Sequence, residues 1–262
     1  MRDMATVNYH VRSNQPQAFF LDADGIAGRL ESPELVPTRV AVQDLRTNGS
    51  PLQLVNFTSD GVTFVQHPSE IKHFDVDRAW QTVYDTELQA LLAREIGAVE
   101  VVVFDHTLRT DSQSAIRRPA RNVHNDYTPQ AAEKRLTDVL GSERAQRFAD
   151  GHYGFVNVWR PVEQPVMTSP LGFIRPRSMQ PEDWVTIDLV YTDRKGEILG
   201  VAANEHHEWL YRSQMTPDEI VIFNTYDNTG LPFVGHSALD MERTGQVSRP
   251  RKSIETRTIV RY

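Results

Sequence analysis

From residue 153 to the last residue, Tyr262, the chain is a succession of short apolar runs separated by turn signals, and this pattern restricts the fold more than any other feature. Residues 155–160, 171–175, 184–192, 198–203, 208–212, 219–225, 236–241 and 253–262 read as strands. They recur at roughly 10–15-residue intervals, with turn clusters such as Asp193-Arg194-Lys195-Gly196 between them. Many short strands at such spacing close into a sandwich or a barrel. The expected class is mainly β with peripheral helices, around a double-stranded β-helix (jelly roll, cupin-like) core.

The helical signals fall in the first half. Trp80, Val83, Leu88, Leu91 and Leu92 form a stripe at helical spacing within residues 77–96, and Gly97 ends it. Residues 98–108 read as a Val-rich buried strand. Thr128 is placed to cap a helix with Pro129 at its first position and Gly141 at its end, and a short second helix follows over 142–149. Residues 52–57 and 62–66, on either side of Thr58-Ser59-Asp60-Gly61, read as a hairpin. Residues 12–50 are rich in Pro, Asn, Asp and Gly, with short extended pieces at most. The domain expectation is one jelly-roll domain over 1–262, with residues 1–50 as an irregular N-terminal extension packed on it.

Composition then narrows the chemistry. With no cysteine in 262 residues, disulfides, Cys-ligated zinc, iron–sulfur clusters and thiol catalysis are excluded, so a metal must be held by His, Asp and Glu. The net charge of −7 argues against nucleic acid and anionic membranes as partners, leaving a small molecule. The polar N-terminus lacks an apolar signal region, and no run approaches the roughly 20 apolar residues of a span, so a cytoplasmic protein is expected. A homodimer is compatible with the sequence, which does not fix oligomeric state.

Within these bounds the sharpest candidate is His124-Asn125-Asp126, answered 110 residues later by His236. Nine His and nineteen Asp produce about 0.65 His-x-Asp triplets by chance, so the triplet alone is better explained as a loop in which Asp126 caps the next helix. Alternation along a strand nevertheless puts His124 and Asp126 on one face. Two imidazoles and a carboxylate on one face of an iron ion leave open positions for a co-substrate and dioxygen. On the last strand, Arg251, Ser253, Glu255 and Arg257 share a face by period two. Either Arg251 with Ser253, or Arg257, is a candidate clamp for the far carboxylate of a 2-oxoacid. Asn157 and Trp159 share a strand face and Arg160 takes the other. Asn157 is a candidate co-substrate contact, and Trp159 and Arg160 are candidate substrate contacts, with ordinary core the favoured reading of the Trp. Tyr127 beside the ligand pair is a further substrate candidate. His106, in the buried strand, is either a core histidine or a substrate contact. His206-His207 is the competing ligand pair, but adjacent strand residues point to opposite faces and chelate one ion poorly.

These motifs occur in an order that resembles a known family: Phe104-Asp105-His106-Thr107-Leu108-Arg109, Val123-His124-Asn125-Asp126-Tyr127-Thr128, Asn157-Val158-Trp159-Arg160-Pro161, Tyr226-Asp227-Asn228 and Ser253-Ile254-Glu255-Thr256-Arg257. The sequence is similar, over roughly residues 50–262, to the fungal and bacterial secondary-metabolism hydroxylase/desaturases, which include a cephamycin-pathway methoxylation subunit, a gibberellin desaturase and an aspergillic-type hydroxylase. The resemblance implies a non-haem Fe(II), 2-oxoglutarate and O2-dependent oxygenase that hydroxylates, desaturates or cyclises a small intermediate, with His124, Asp126 and His236 as iron ligands. Two other readings stay open. One is a metal-dependent hydrolase or isomerase on the same scaffold, with Glu255 as base. The other is a non-catalytic small-molecule-binding partner of a biosynthetic enzyme.

Overall fold

The computed structural model describes residues 2–20, 33–46, 55–75, 77–242 and 249–262. Two sheets carry the chain. The smaller has five strands in the order β4 (Val62–Gln66), β12 (Glu219–Asp227), β7 (Tyr153–Pro161), β15 (Lys252–Arg261) and β5 (Glu100–Thr110). The larger has ten, in the order β14 (Asp240–Met241), β1 (Asp3–His10), β3 (Leu35–Asp44), β11 (Trp209–Tyr211), β8 (Leu171–Ile174), β13 (His236–Ala238), β6 (His124–Asn125), β10 (Lys195–Val201), β9 (Trp184–Val190) and β2 (Gln17–Phe20).

The sheets face each other across a core that draws Phe64, Trp159, Val221 and Phe223 from the smaller and Leu171, Phe173 and Leu210 from the larger. This is the expected jelly roll with helices outside. Period-two alternation decides the rest. Val156, Val158, Ile220, Ile222, Ile254 and Val260 leave the other face of the small sheet and pack on α2 (Gln81–Ile96) through Leu88, Leu91 and Leu92. Val83 of the expected stripe is instead 45% exposed, and Tyr84 takes its place in the core. α3 (Pro129–Leu140) starts as its sequence dictates, with Thr128 Oγ1 accepting from the Ala131 N–H and Pro129 in the first turn, and α4 (Ser142–Ala149) follows.

Two expectations are corrected. The described parts of the N-terminal segment are no irregular extension. β1 and β3 form a long antiparallel pair, from Asp3↔Val42 to His10↔Leu35, and β3 runs parallel to β11, so Ala5, Val7, Tyr9 and Val42 are fully buried. Nor, among the described residues, do residues 62–66 pair with the segment before them. Residues 52–54 lie outside the described residues, while Phe57–Asp60 is a helical turn (α1) capped by Asn56 and closed by Gly61 at φ 65°. β4 pairs instead with β12. Gly61 is required there, because its φ is left-handed and a Cβ would collide with the Pro232 carbonyl oxygen.

Candidate metal centre

β6 is only two residues long, yet it is pinned on both edges. His124 pairs with His236 of β13 on one side and with Gly200 of β10 on the other. Asn125, fully buried, donates from Nδ2 to the carbonyls of Tyr127 (3.0 Å) and Thr225 (2.8 Å), tying the triplet to β12. The intervening residue therefore anchors the backbone while its neighbours face the barrel interior. Gly200 has to be small, because a Cβ there would lie 2.6 Å from the His10 ring.

Three potential ligand atoms converge. Asp126 Oδ1 is 3.6 Å from His124 Nε2 and 4.0 Å from His236 Nε2, and all three ligand atoms lie within 4.8 Å of one another. The imidazole centroids are 4.4 Å apart. Both rings direct Nδ1 at a backbone carbonyl two residues back, His124 at Asn122 (2.8 Å) and His236 at Val234 (3.4 Å). With Nδ1–H donating, each Nε2 is left as a lone-pair donor toward the shared point, which is how outer contacts orient metal-binding imidazoles. Burial lowers the His236 pKa to about 3, aided by the neighbouring His124, so the ring is neutral at physiological pH.

The other oxygen of Asp126 is already committed. Oδ2 accepts from Asn157 Nδ2 (2.8 Å) and Arg257 Nε (3.2 Å). Burial alone would raise this carboxyl. Arg257, the two histidines and the Asn157 amide outweigh it and hold the group well below the usual carboxylate range. The aspartate is thus ionised, with one oxygen fixed by the protein and one facing the histidines. Tyr127 stacks on Phe155 at 4.7 Å between centroids, and burial, reinforced by Asp126, pushes its phenol up so that it stays protonated.

The last strand resolves which of its faces looks inward. Ile254 and Val260 pack toward α2, so Arg251, Ser253, Glu255 and Arg257 face the barrel. Arg257 is held there by hydrogen bonds and an ion pair. Nη1 donates to Asp105 Oδ2 (2.7 Å) and Thr107 Oγ1 (3.2 Å), Nη2 lies 2.6 Å from Glu255 Oε1, and Nε holds Asp126. Glu255 is consequently ion-paired, a poor arrangement for a general base. Arg251 differs. It is 2% exposed, lies over the Trp159 ring at 5.2 Å, and gives Nη1 to the Ser169 carbonyl. Its Nε and the Ser253 Oγ are buried with no hydrogen-bond partner among the described residues. Burial, then the charge of Arg109, lowers the Arg251 pKa to about 9.

Other expected residues lie elsewhere. Asn157 is spent on Asp126. Trp159 is core, among Phe173, Val221 and Phe223. Arg160, on the opposite strand face, is buried under α2 and donates to the carbonyls of His67 (2.9 Å) and Pro217. His106 points the same way, its Nδ1 on Thr256 Oγ1 and Nε2 on Asp85 Oδ1 of α2, both 2.8 Å. The substrate roles expected for Arg160 and His106 are corrected on these grounds, since an entire sheet separates them from the triad. Of the competing pair, His207 is buried against Asp183 and Tyr9, and His206 is exposed.

A cavity of about 390 Å³ opens at Asp126, walled in part by Phe104, Asp105, Arg109, Tyr127, Arg135 and Arg257. Arg109 was missed in the sequence. Its signal was period two on β5, where Asp105, Thr107 and Arg109 pair with Arg257, Glu255 and Ser253 and so share their inward face.

The chain matches the family model described as an oxidoreductase/YMDC permease-like domain over residues 7–261. It is 30% identical over 235 residues to the Fe(II)/2-oxoglutarate-dependent dioxygenase nvfI of Aspergillus novofumigatus, covering 86% of this chain and 83% of that protein. It is 29% identical over 251 residues to the hydroxylase/desaturase efuI of Hormonema carpetanum, covering 84% and 82%. Among solved structures it superposes on the iron and alpha-ketoglutarate-dependent endoperoxidase NvfI with a TM-score of 0.83 at 26% identity, covering 100% of this chain and 97% of that one.

Proposed function

Because the chain belongs to the oxidoreductase/YMDC permease-like domain family, in which its relatives include dioxygenases and hydroxylase/desaturases, we propose that it is a non-haem Fe(II)/2-oxoglutarate-dependent oxygenase of a small secondary-metabolite intermediate. The whole of residues 1–262 acts in this proposal as one jelly-roll oxygenase domain. The observation that carries it is the convergence of His124 Nε2, Asp126 Oδ1 and His236 Nε2, each aimed by an outer contact.

The residues fit the group. Two imidazoles and one carboxylate offering a single free oxygen are the donor set that suits Fe(II) with open positions. Arg251 Nε and Ser253 Oγ, buried and without a partner among the described residues, are the donors that a carboxylate would satisfy. In this reading His124, Asp126 and His236 hold the iron, and Arg251 with Ser253 binds the far carboxylate of 2-oxoglutarate. Fe(II) with this co-substrate supplies O2-dependent oxidation of a C–H bond, with succinate and carbon dioxide as co-products.

The protein's own work is positioning. Asn157 and Arg257 fix Asp126 so that its second oxygen alone is offered to the centre. Arg257 is therefore a positioning residue and not a clamp, because its Nε and Nη1 are bonded to Asp126, Asp105 and Thr107 and its charge is answered by Glu255. Phe173 and Phe223 close the floor under His236, with ring centroids 6.3 and 4.9 Å from it, and exclude water from that side. The hydrolase reading loses its base, since Glu255 is paired with Arg257.

The test is anaerobic addition of Fe(II) and 2-oxoglutarate. A weak visible charge-transfer band near roughly 500 nm is expected for this chelate on a two-His, one-carboxylate site. It should vanish in His124→Ala, Asp126→Ala and His236→Ala with the circular dichroism unchanged. No band in the wild type, with metal bound, would refute the oxygenase.

A further inference from the structure

The cavity that opens at Asp126 has a charge opposite to that of the molecule. The chain as a whole carries −7, yet the lining holds seven Lys and Arg against four Asp and Glu. Most of the acids are already answered. Asp105 and Asp126 are bonded to Arg257, Asp138 accepts from Lys134 at 2.6 Å, and Glu197 accepts from the Thr128 hydroxyl at 2.8 Å.

Two of the basic groups are half-buried and lack a carboxylate within ion-pair distance among the described residues. Arg109 comes from the inward face of β5, and its guanidinium donates only to the Arg118 carbonyl, at 3.0 Å. Arg135 comes from α3, and its guanidinium carbon lies over the Phe104 ring, 5.0 Å from the centroid. Removing a guanidinium from water is costly unless an anion answers it. The cost is visible at Arg109, where burial lowers the pKa despite the nearby charge of Glu255. Around the rim, Arg194 lies over Tyr191 at 4.2 Å with Asp193 4.0 Å from its Nη1, and Lys195 begins β10, so Lys195 adds to the positive field at the mouth. Between these charges the wall is apolar or aromatic, with Tyr127, Leu189 and Ile198.

We propose that this cavity takes a substrate with an apolar skeleton and one anionic group, a carboxylate or a phosphate ester, held by Arg109 and Arg135. The proposal rests on the oxygenase reading for the reaction, but not for the binding itself. A cavity of about 390 Å³ suits a small molecule. Anchoring its charge on Arg109 and Arg135 would fix the apolar skeleton between them and Asp126 in one orientation. A guanidinium already held over an aromatic ring, as Arg135 is, gives up less freedom on binding than one free in solvent.

The test uses fluorescent probes of matched shape on protein loaded with Mn(II) and 2-oxoglutarate: naphthaleneacetate, naphthyl phosphate and the neutral naphthaleneethanol. Either anion is expected to bind at least about tenfold more tightly than the alcohol. Arg109→Gln and Arg135→Gln should each weaken the anions about tenfold while leaving the alcohol within twofold, and Arg135→Lys should recover part of the loss. Arg135 is half-exposed on a surface helix, so its variants keep the test valid if Arg109→Gln folds poorly. The relative affinities of acetate and phosphate tell which anion the site prefers. Equal binding of anions and alcohol would overturn the proposal. So would a matching loss of 2-oxoglutarate affinity in both Gln variants, because the cations would then serve the co-substrate. A wild-type protein that keeps the anion preference but binds neither metal nor 2-oxoglutarate would refute the oxygenase reading and leave the anion site standing.

Discussion

Arg251, just before β15, and Arg257, within it, face the same side, and the structure predicts opposite consequences for their loss. Arg251→Gln removes a buried guanidinium whose Nε has no partner among the described residues, and whose other side-chain contacts there are the Ser169 carbonyl and the Trp159 ring. The fold should lose only about 1–3 kcal/mol, from one hydrogen bond and one cation–π contact. If Arg251 supplies the charge-assisted contact to 2-oxoglutarate, affinity should fall by about 2–4 kcal/mol, or about thirty- to several-hundred-fold in Kd. Ser253→Ala, losing one neutral donor, should cost about fivefold. Arg257→Gln inverts this pattern. It strands Asp126 and Glu255, both largely buried, together with the more exposed Asp105. Breaking buried pairs costs about 3–5 kcal/mol, and solvent screening at Asp105 puts the expectation near the lower end. Metal affinity should fall as well, but at saturating Mn(II) the 2-oxoglutarate Kd should stay within a few-fold. Calorimetric titration of 2-oxoglutarate into Mn(II)-loaded protein, with urea unfolding of the same samples, reads both axes. Arg257→Gln that loosens 2-oxoglutarate as much as Arg251→Gln, with unchanged unfolding, would refute the assignment of roles.

Three further outcomes follow from the same contacts. Asn157→Leu deletes the 2.8 Å bond to Asp126 Oδ2, and equilibrium dialysis should show metal affinity about 10–100-fold weaker with little change in the unfolding midpoint. His10 is buried beside Gly200, and burial, with the charge of His124, lowers its pKa from 6.5 to about 4. The unfolded chain therefore binds more protons between those values, so stability is full above pH 6.5 and lost as pH falls through 4, by about 3 kcal/mol. Urea unfolding of chelator-treated protein from pH 7 to 4 should show a shallower decline in His10→Gln, and an identical slope would remove His10 from the acid response. Gly61→Ala forces a left-handed φ on an alanine and a Cβ onto the Pro232 carbonyl, and should lower stability by about 2–4 kcal/mol in the same assay.

Much of this architecture is local and was legible as such. Thr128, Pro129 and Gly141 delimit α3 because caps are chemistry between neighbours in the chain. The strands after Tyr153 announce themselves by β-rich runs between turns, and period two alone puts His124 with Asp126 and Arg251 with Ser253 and Arg257. Sequence stopped where a partner had to be chosen. β1 and β3 become a sheet only because each finds the other across residues 11–34, and β3 finds β11 from far along the chain. The Asp-Gly pair at 60–61 carries hairpin chemistry, but tertiary contacts spend it on a capped helical turn and give β4 to β12. Both faces of the last strand carry polar residues, so its inward side was undecided until α2 covered Ile254 and Val260. That single packing choice turns Arg251, Ser253 and Arg257 toward the triad and carries Arg160 and His106 to the far side of the sheet. Alternation fixes which residues travel together, whereas only long-range burial fixes the side to which they turn.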